Sequence, residues 1–311
     1  MMPILYTIAV TFLSISVLIG LPSVTNLIQT KVEASNIPNN KVLTQNEFQP
    51  PIEIIKPIPI PKNQGIPAPL IYASAVVVKD LATNTLLFGQ GENQRVPIAS
   101  TTKIMTALVA VEHFRPNDVL IVPENIFTIT GSSMGLKPGE QLSFRSVLYG
   151  MLLNSGNDAA YTIAQNYPGG FNVFVQAMNK KAISLGLINT HFTNPAGFDD
   201  VNHYSSAEDL AKIASLAIEN SQLARVVSTK ETSVASLDKT TIHSLKNLNK
   251  LLDEPGVLGI KTGTTPAARE NLVGLVERDG HKILTVVLGS NDRFGETDKL
   301  FNWVYSNFVW K

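Results

Sequence analysis

The run Ile104-Met105-Thr106-Ala107-Leu108-Val109-Ala110-Val111 is the strongest constraint on how this chain can fold. It lies inside a helical pattern from Ser100 to His113 and is apolar on nearly every face. A helix with a polar face can lie on a surface, whereas one without must be enclosed by other elements. The chain supplies such elements on both sides. Strand character at Tyr72–Lys79, a turn over Asp80–Thr85 and a short strand ending near Gln90 come first. A loop-rich stretch reaches Leu142, with a turn at Lys137-Pro138-Gly139-Glu140. Helices are expected at Ser143–Asn154, Asp158–Gln165, Phe171–Gly186 and Ser206–Glu219, the last opened by a capping box, Ser205-Ser206-Ala207-Glu208. After Arg225 strand character returns. Asn271–Arg278 and His281–Gly289 flank Asp279-Gly280, a short hairpin turn, and a closing helix runs from about Thr297 to Phe308.

Because strands both open and close this region, they are expected to join in one mostly antiparallel sheet. The fold class is therefore α/β (α+β): that sheet flanked by helices, with an inserted all-helical lobe. A cleft between sheet and lobe is the natural place for a ligand.

The regions before it read differently. From Met1 to Thr30 there is no charged residue, and Pro3–Leu21 is almost continuously apolar. That length approaches the ~20 residues of a spanning helix, while Val32-Glu33-Ala34 offers a cleavage pattern after Ala34. Residues 1–34 are thus a signal peptide or an N-terminal membrane anchor, and either one exports the rest, secreted or tethered to the cytoplasmic membrane. Residues 35–70 hold eight of the eighteen prolines and read as an extended linker, with Ile52-Glu53-Ile54-Ile55 able to supply one edge strand of an ordered strap. Residues 71–311 are expected to form the globular domain.

Lys plus Arg and Asp plus Glu balance at 25 each, which gives no basis for a nucleic-acid partner or for membrane attachment beyond the N-terminal segment. The absence of cysteine excludes disulfides, thiolate metal sites and cysteine nucleophiles. The five histidines form no HExxH or similar ligand pair, so no metal and no cofactor are expected. His203 reads as a loop-holding residue.

Chemistry enters with Ser100-Thr101-Thr102-Lys103. A serine hydroxyl needs a positioned base to attack a carbonyl. Residues i and i+3 share a helical face, and an apolar helix behind Lys103 would desolvate it and lower its pKa toward base function. The spacing alone proves nothing, because Ser236-Leu237-Asp238-Lys239 repeats it in a stretch that reads as strand and turn. Ser155-Gly156-Asn157, between two helices, offers a hydroxyl for proton relay and an amide to orient substrate and lysine, or simply a helix cap. Lys261-Thr262-Gly263, followed by Thr264 and Thr265, falls where a strand follows the turn Pro255-Gly256. A cation and hydroxyls on a strand edge can hold a carboxylate while the backbone pairs with an extended peptide.

In this order the three elements resemble the signature of penicillin-binding proteins and class A β-lactamases. Pro97-Ile98-Ala99 before Ser100, Leu136-Lys137-Pro138-Gly139-Glu140, Asn194-Pro195-Ala196-Gly197, His203-Tyr204-Ser205-Ser206-Ala207 and Gly259-Ile260 before Lys261 are similar to the D-alanyl-D-alanine carboxypeptidases of low molecular mass. The resemblance covers about Ile71 to Phe308 and implies a β-lactamase/transpeptidase-like fold. It implies a peptidoglycan stem peptide ending in D-Ala-D-Ala as substrate and β-lactams as inhibitors. Ser100 would be the nucleophile and Lys103 its base, with Ser155 and Asn157 assisting. Lys261, Thr262, Gly263 and Thr264 would bind substrate, and the Ser100 and Thr264 N–H groups would form the oxyanion hole. Arg293, after the final strand, would lie near the substrate carboxylate.

Between Asp158 and Ala207 there is no glutamate, so the deacylating base of class A β-lactamases has no counterpart. A domain that acylates without turnover is the reading from another class. Arg269 stands where many members of the family carry glycine, which puts the neighbouring loop in question if φ is positive there. The chain ends soon after the closing helix, without the C-terminal β domain of some relatives, and this raises the alternative of an endopeptidase acting on cross-links.

Overall fold

The computed structural model describes residues 58–311. In chain order the elements are β1 (Pro61–Asn63), β2 (Ala75–Asp80), β3 (Leu86–Gln90), α1 (Lys103–His113), β4 (Val119–Ile121), β5 (Gln141–Ser143), α2 (Phe144–Leu152), α3 (Asn157–Asn166), α4 (Gly170–Ser184), α5 (Ala207–Glu219) and α6 (Ser221–Val227). They continue with β6 (Glu231–Ala235), β7 (Ile242–Lys246), β8 (Val257–Thr265), β9 (Arg269–Arg278), β10 (His281–Ser290), α7 (Arg293–Asn307) and β11 (Phe308–Trp310). Five strands form an antiparallel sheet in the order β3-β2-β10-β9-β8, so the opening strands do lie beside the closing ones.

Successive side chains of a strand point to opposite faces, and the central strands follow that rule into two cores. Ala75 and Val77 of β2, Val273 and Leu275 of β9, and Leu284 and Val286 of β10 join one core. Val76, Val78, Leu272, Val276, Ile283 and Val287 join the other, which α7 covers with Leu300, Phe301 and Val304. At Gly274 a Cβ would stand 3.0 Å from the Phe301 ring, so α7 rides directly on β9. The first core belongs to the helical lobe. There α1 packs against α2, α3, α4 and α5, and every residue from Lys103 to Ala110 is buried. Burying each large aliphatic side chain contributes roughly 2 kcal/mol, which α1 would forfeit on any surface.

Several boundaries differ from the sequence reading. The turn before α1 is a 3-10 turn, Ala99–Thr102, so Ser100 precedes the α-helix instead of opening it. Strand does not follow Arg225 at once, because Asn220 caps the short helix α6 by accepting the N–H groups of Gln222 and Leu223. At α5 the cap is Ser206, which accepts the Asp209 N–H, while Glu208 turns away to pair with Lys79 at 2.5 Å. Residues 61–63, assigned above to the linker, form β1 and pair with β11. Trp303 Nε1 donates to Ile66 O at 3.0 Å, so this part of the proline-rich segment is an ordered strap along α7. The apolar N-terminal segment, Ala34 and Ile52–Ile55 lie outside the described residues. Among the described residues no helix is long and apolar enough to cross a membrane.

Candidate active site

Five contacts pin the Ser100 turn. Thr101 Oγ1 donates to Ile98 O at 2.6 Å, and Thr102 Oγ1 donates to Ala99 O at 2.8 Å. His203 holds Thr102 in place, with Nε2 2.7 Å from its hydroxyl. The Thr193 N–H donates to His203 Nδ1 at 3.1 Å, which leaves the ring proton on Nε2 and makes it the donor to Thr102. Burial lowers the His203 pKa to about 4 against the opposing pull of Asp200, so the ring stays neutral at neutral pH. Finally Gly197 and Gly263 press against the turn from either side. A Cβ on Gly197 would fall 1.8 Å from Ala99 O, and one on Gly263 would fall 3.0 Å from the Ser100 nitrogen. Held this way, Ala99 adopts φ +47, outside the usual range for alanine.

Lys103, one 3-10 turn on, is fully buried. Its Nζ has three partners: Ser100 Oγ at 2.8 Å, Asn157 Oδ1 at 2.8 Å and Ala196 O at 2.7 Å. Burial pushes its pKa well below 10.5, nearby Lys261 adds to the effect, and Asp158 opposes it. A neutral amine has two N–H groups and one lone pair. Asn157 Oδ1 and Ala196 O can only accept, so they take the two N–H groups. The lone pair then faces the one partner able to donate, the Ser100 hydroxyl. The orientation of Asn157 is itself fixed, because its Nδ2 donates to Thr130 O at 2.8 Å.

Opposite stands β8, the edge strand of the sheet. Lys261 is buried there and donates to Ser155 Oγ at 3.0 Å and to Thr262 O at 2.9 Å, so its ammonium form has a third N–H to offer a ligand. Burial and then Arg293 lower its pKa to about 7. Arg293, at the start of α7, donates through Nη1 to Gly263 O at 2.9 Å and contacts the Thr264 hydroxyl. Its Nε is buried without a partner.

The three sequence motifs therefore meet in one place: Ser100 and Lys103 from the turn and α1, Ser155 and Asn157 from the α2–α3 junction, and Lys261, Thr262, Gly263 and Thr264 from the sheet edge, with Arg293 beside them. The second Ser-x-x-Lys copy goes elsewhere. Ser236 bonds to Asp238 at 2.5 Å in the β6–β7 loop, and Lys239 is exposed. Arg269 does sit at φ +57, and its Nε donates to Asn291 Oδ1 at 3.0 Å. What sequence reasoning missed are the backbone acceptors, Ala196 O and Thr130 O. A signal existed for the first: Asn194 Oδ1 accepts the N–H groups of Ala196, Gly197 and Phe198, which sets that loop. Among the described residues no cluster of His, Cys, Asp and Glu could hold a metal ion.

A serine beside a buried lysine, facing the end of an edge strand that carries a second lysine and hydroxyls with an arginine next to it, defines a serine acyl-transfer enzyme. Known proteins narrow this further. Residues 62–292 match the family model for D-alanyl-D-alanine carboxypeptidase. The D-alanyl-D-alanine carboxypeptidase DacF of Bacillus subtilis (strain 168) is 32% identical over 76% of this chain and 63% of its own length. DacB2 of Mycobacterium tuberculosis is 34% identical over 78% of this chain and 85% of its own length. The crystal structure of the Streptomyces K15 DD-transpeptidase superposes with TM-score 0.74 at 32% identity, covering 78% of this chain and all of that one. Proteins named D-alanyl-D-alanine endopeptidase also match. The chain belongs to the D-alanyl-D-alanine carboxypeptidase family.

Proposed function

We propose that this protein is exported and removes the terminal D-alanine of peptidoglycan stem peptides through an acyl-enzyme on Ser100, and that penicillins acylate the same oxygen. The observation that carries this reading is the three-partner arrangement around Lys103 Nζ, which in the neutral amine turns the lone pair toward the Ser100 hydroxyl. The substrate lies extended along β8, its carboxylate taken by Lys261, Thr262, Thr264 and Arg293. Because Lys261 titrates near neutral pH, an arriving carboxylate draws it to the ammonium form. Gly263 keeps the strand close to Ser100, so that the N–H groups of Ser100 and Thr264 serve the oxyanion.

Ser100 Oγ attacks the carbonyl carbon of the D-Ala-D-Ala bond while its proton passes to Lys103. The carbon–nitrogen bond then breaks. The proton goes to the departing amine, with the Ser155 hydroxyl as relay and Asn157 holding Lys103 in line, and free D-alanine leaves. Water, deprotonated the same way, opens the ester and restores Ser100. The N-terminal segment keeps the domain outside the cytoplasm, cleaved or as a tether.

The test uses the purified full chain, wild type and Ser100→Ala, with a D-Ala-D-Ala pentapeptide and with a cross-linked dimer. Wild type is expected to release D-alanine steadily from the pentapeptide, and Ser100→Ala none. Release that survives the substitution contradicts the reading. Cleavage of the cross-link without release of terminal D-alanine moves the assignment to endopeptidase.

A further inference from the structure

Asn157 opens α3, and the next residue, Asp158, is a buried acid outside the three motifs. Its carboxyl oxygens accept from the Ser133 hydroxyl at 2.5 Å and from the backbone N–H groups of Met134 at 3.0 Å, Gly135 at 3.0 Å, Leu136 at 3.1 Å and Ala159 at 2.9 Å. Every partner is a donor, a pattern that suits a carboxylate. Three consecutive N–H groups converging on one side chain fix segment 133–136 in place.

That segment continues directly into the contacts that hold Asn157. The Asn157 amide Nδ2 donates to Thr130 O at 2.8 Å, and its backbone N–H donates to Ser132 O at 2.7 Å. With both ends gripped, Oδ1 meets Lys103 Nζ at 2.8 Å. Asp158 thus reaches Lys103 by two routes, one mechanical through segment 130–136 and one electrostatic through space. The charged and titratable groups acting on Lys103 are few. Lys261 on β8 opposes its protonation, Asp158 on α3 favours it, and His203 beyond Thr102 is neutral.

We infer that Asp158 is a positioning residue of the acylation step, aligning Asn157 on Lys103 and setting the pH range in which Lys103 accepts the Ser100 proton. This rests on Lys103 being the base of the proposed reaction. The sign follows from charge. Removing a negative group near Lys103 makes its ammonium form less stable, so the amine is free at lower pH and the acid limb of acylation moves toward acid. A purely structural role would slow acylation equally at every pH and leave the limb where it was.

The experiment measures the pH profile of acylation of the full chain by fluorescent penicillin for wild type, Asp158→Asn and Ser133→Ala, with circular dichroism as a check of folding. Asp158→Asn is expected to lower the plateau rate by about tenfold, since misalignment near 1 Å costs up to about a hundredfold. Its acid limb is expected at lower pH than that of wild type. Ser133→Ala removes a tether and keeps the charge, so it slows the plateau with the wild-type limb. An Asp158→Asn profile that is slower with an unmoved limb, or unchanged altogether, overturns the inference. Should Asp158→Asn fail to fold, Ser133→Ala decides: a slower plateau supports the tether, and wild-type acylation overturns it. Wild type that takes up no penicillin would instead sink the proposed function.

Discussion

Lys103→Met is expected to slow acylation by penicillin about a thousandfold, the scale of a lost general base, in a domain that remains folded. Methionine fills the buried space that lysine occupies but offers no lone pair to the Ser100 hydroxyl. The pH profile separates this from a packing effect. Wild-type acylation rises as Lys103 loses its proton and falls again where Lys261, the carboxylate partner, loses its own, whereas the variant lacks the rising limb. Stability changes in two opposing directions. The native Lys103 pKa is depressed, so between it and the unfolded value of 10.5 the unfolded chain binds a proton that the native state does not. In that window wild-type stability rises with pH, and methionine removes the handicap. Against this, Asn157 Oδ1 and Ala196 O each lose a partner, which costs about 1–3 kcal/mol per buried group. Fluorescent-penicillin kinetics across pH, paired with thermal melts, check both halves. Acylation within about tenfold of wild type, or an acid limb that survives, would remove Lys103 as the base.

Gly197→Ala should do comparable damage without touching a reacting group. At φ +91 an alanine is strained, and its Cβ would lie 1.8 Å from Ala99 O and 2.9 Å from the Ser100 nitrogen. Backbone must move, and the backbone in contact is the nucleophile's own turn. A loss of about 3 kcal/mol in stability and about a hundredfold in acylation is expected. Gly280→Ala is the control: φ is +79 there, but nothing lies within 4 Å of the added carbon. It should cost about 1 kcal/mol and leave acylation at the wild-type rate. Denaturant unfolding and acylation rates measured on both variants test this, and equal behaviour of the two would contradict it.

How much of this was legible before the structure depends on where the information resides. The apolar run after Lys103 dictated an enclosed helix, because no face of it tolerates water. The hairpin at Asp279-Gly280 and the strands before Ser100 dictated one sheet. Motif order placed Ser155, Asn157 and Lys261 near Ser100, although spacing alone could not separate Ser100 from Ser236. What escaped were features that side-chain patterns do not encode. Ala196 O and Thr130 O are backbone atoms, available to any residue type. The strap at Pro61–Asn63 pairs through main-chain hydrogen bonds with a strand about 250 residues away, a partner that local composition cannot name. The cap of α5 fell one residue from the expected box: Ser205 is held in a bridge to Val96, and Glu208 pairs with Lys79 across the tertiary structure. Gly197 and Gly263 matter for what they lack, and only the neighbouring turn reveals it.

The proposed chemistry stands or falls with Ser100 as the nucleophile. Its most direct test is to acylate the full chain with penicillin, digest it and locate the adduct by mass spectrometry. One penicillin per chain is expected, carried by the peptide containing Ser100. An adduct on Ser155 or Ser236, or labelling that persists in Ser100→Ala, would contradict it.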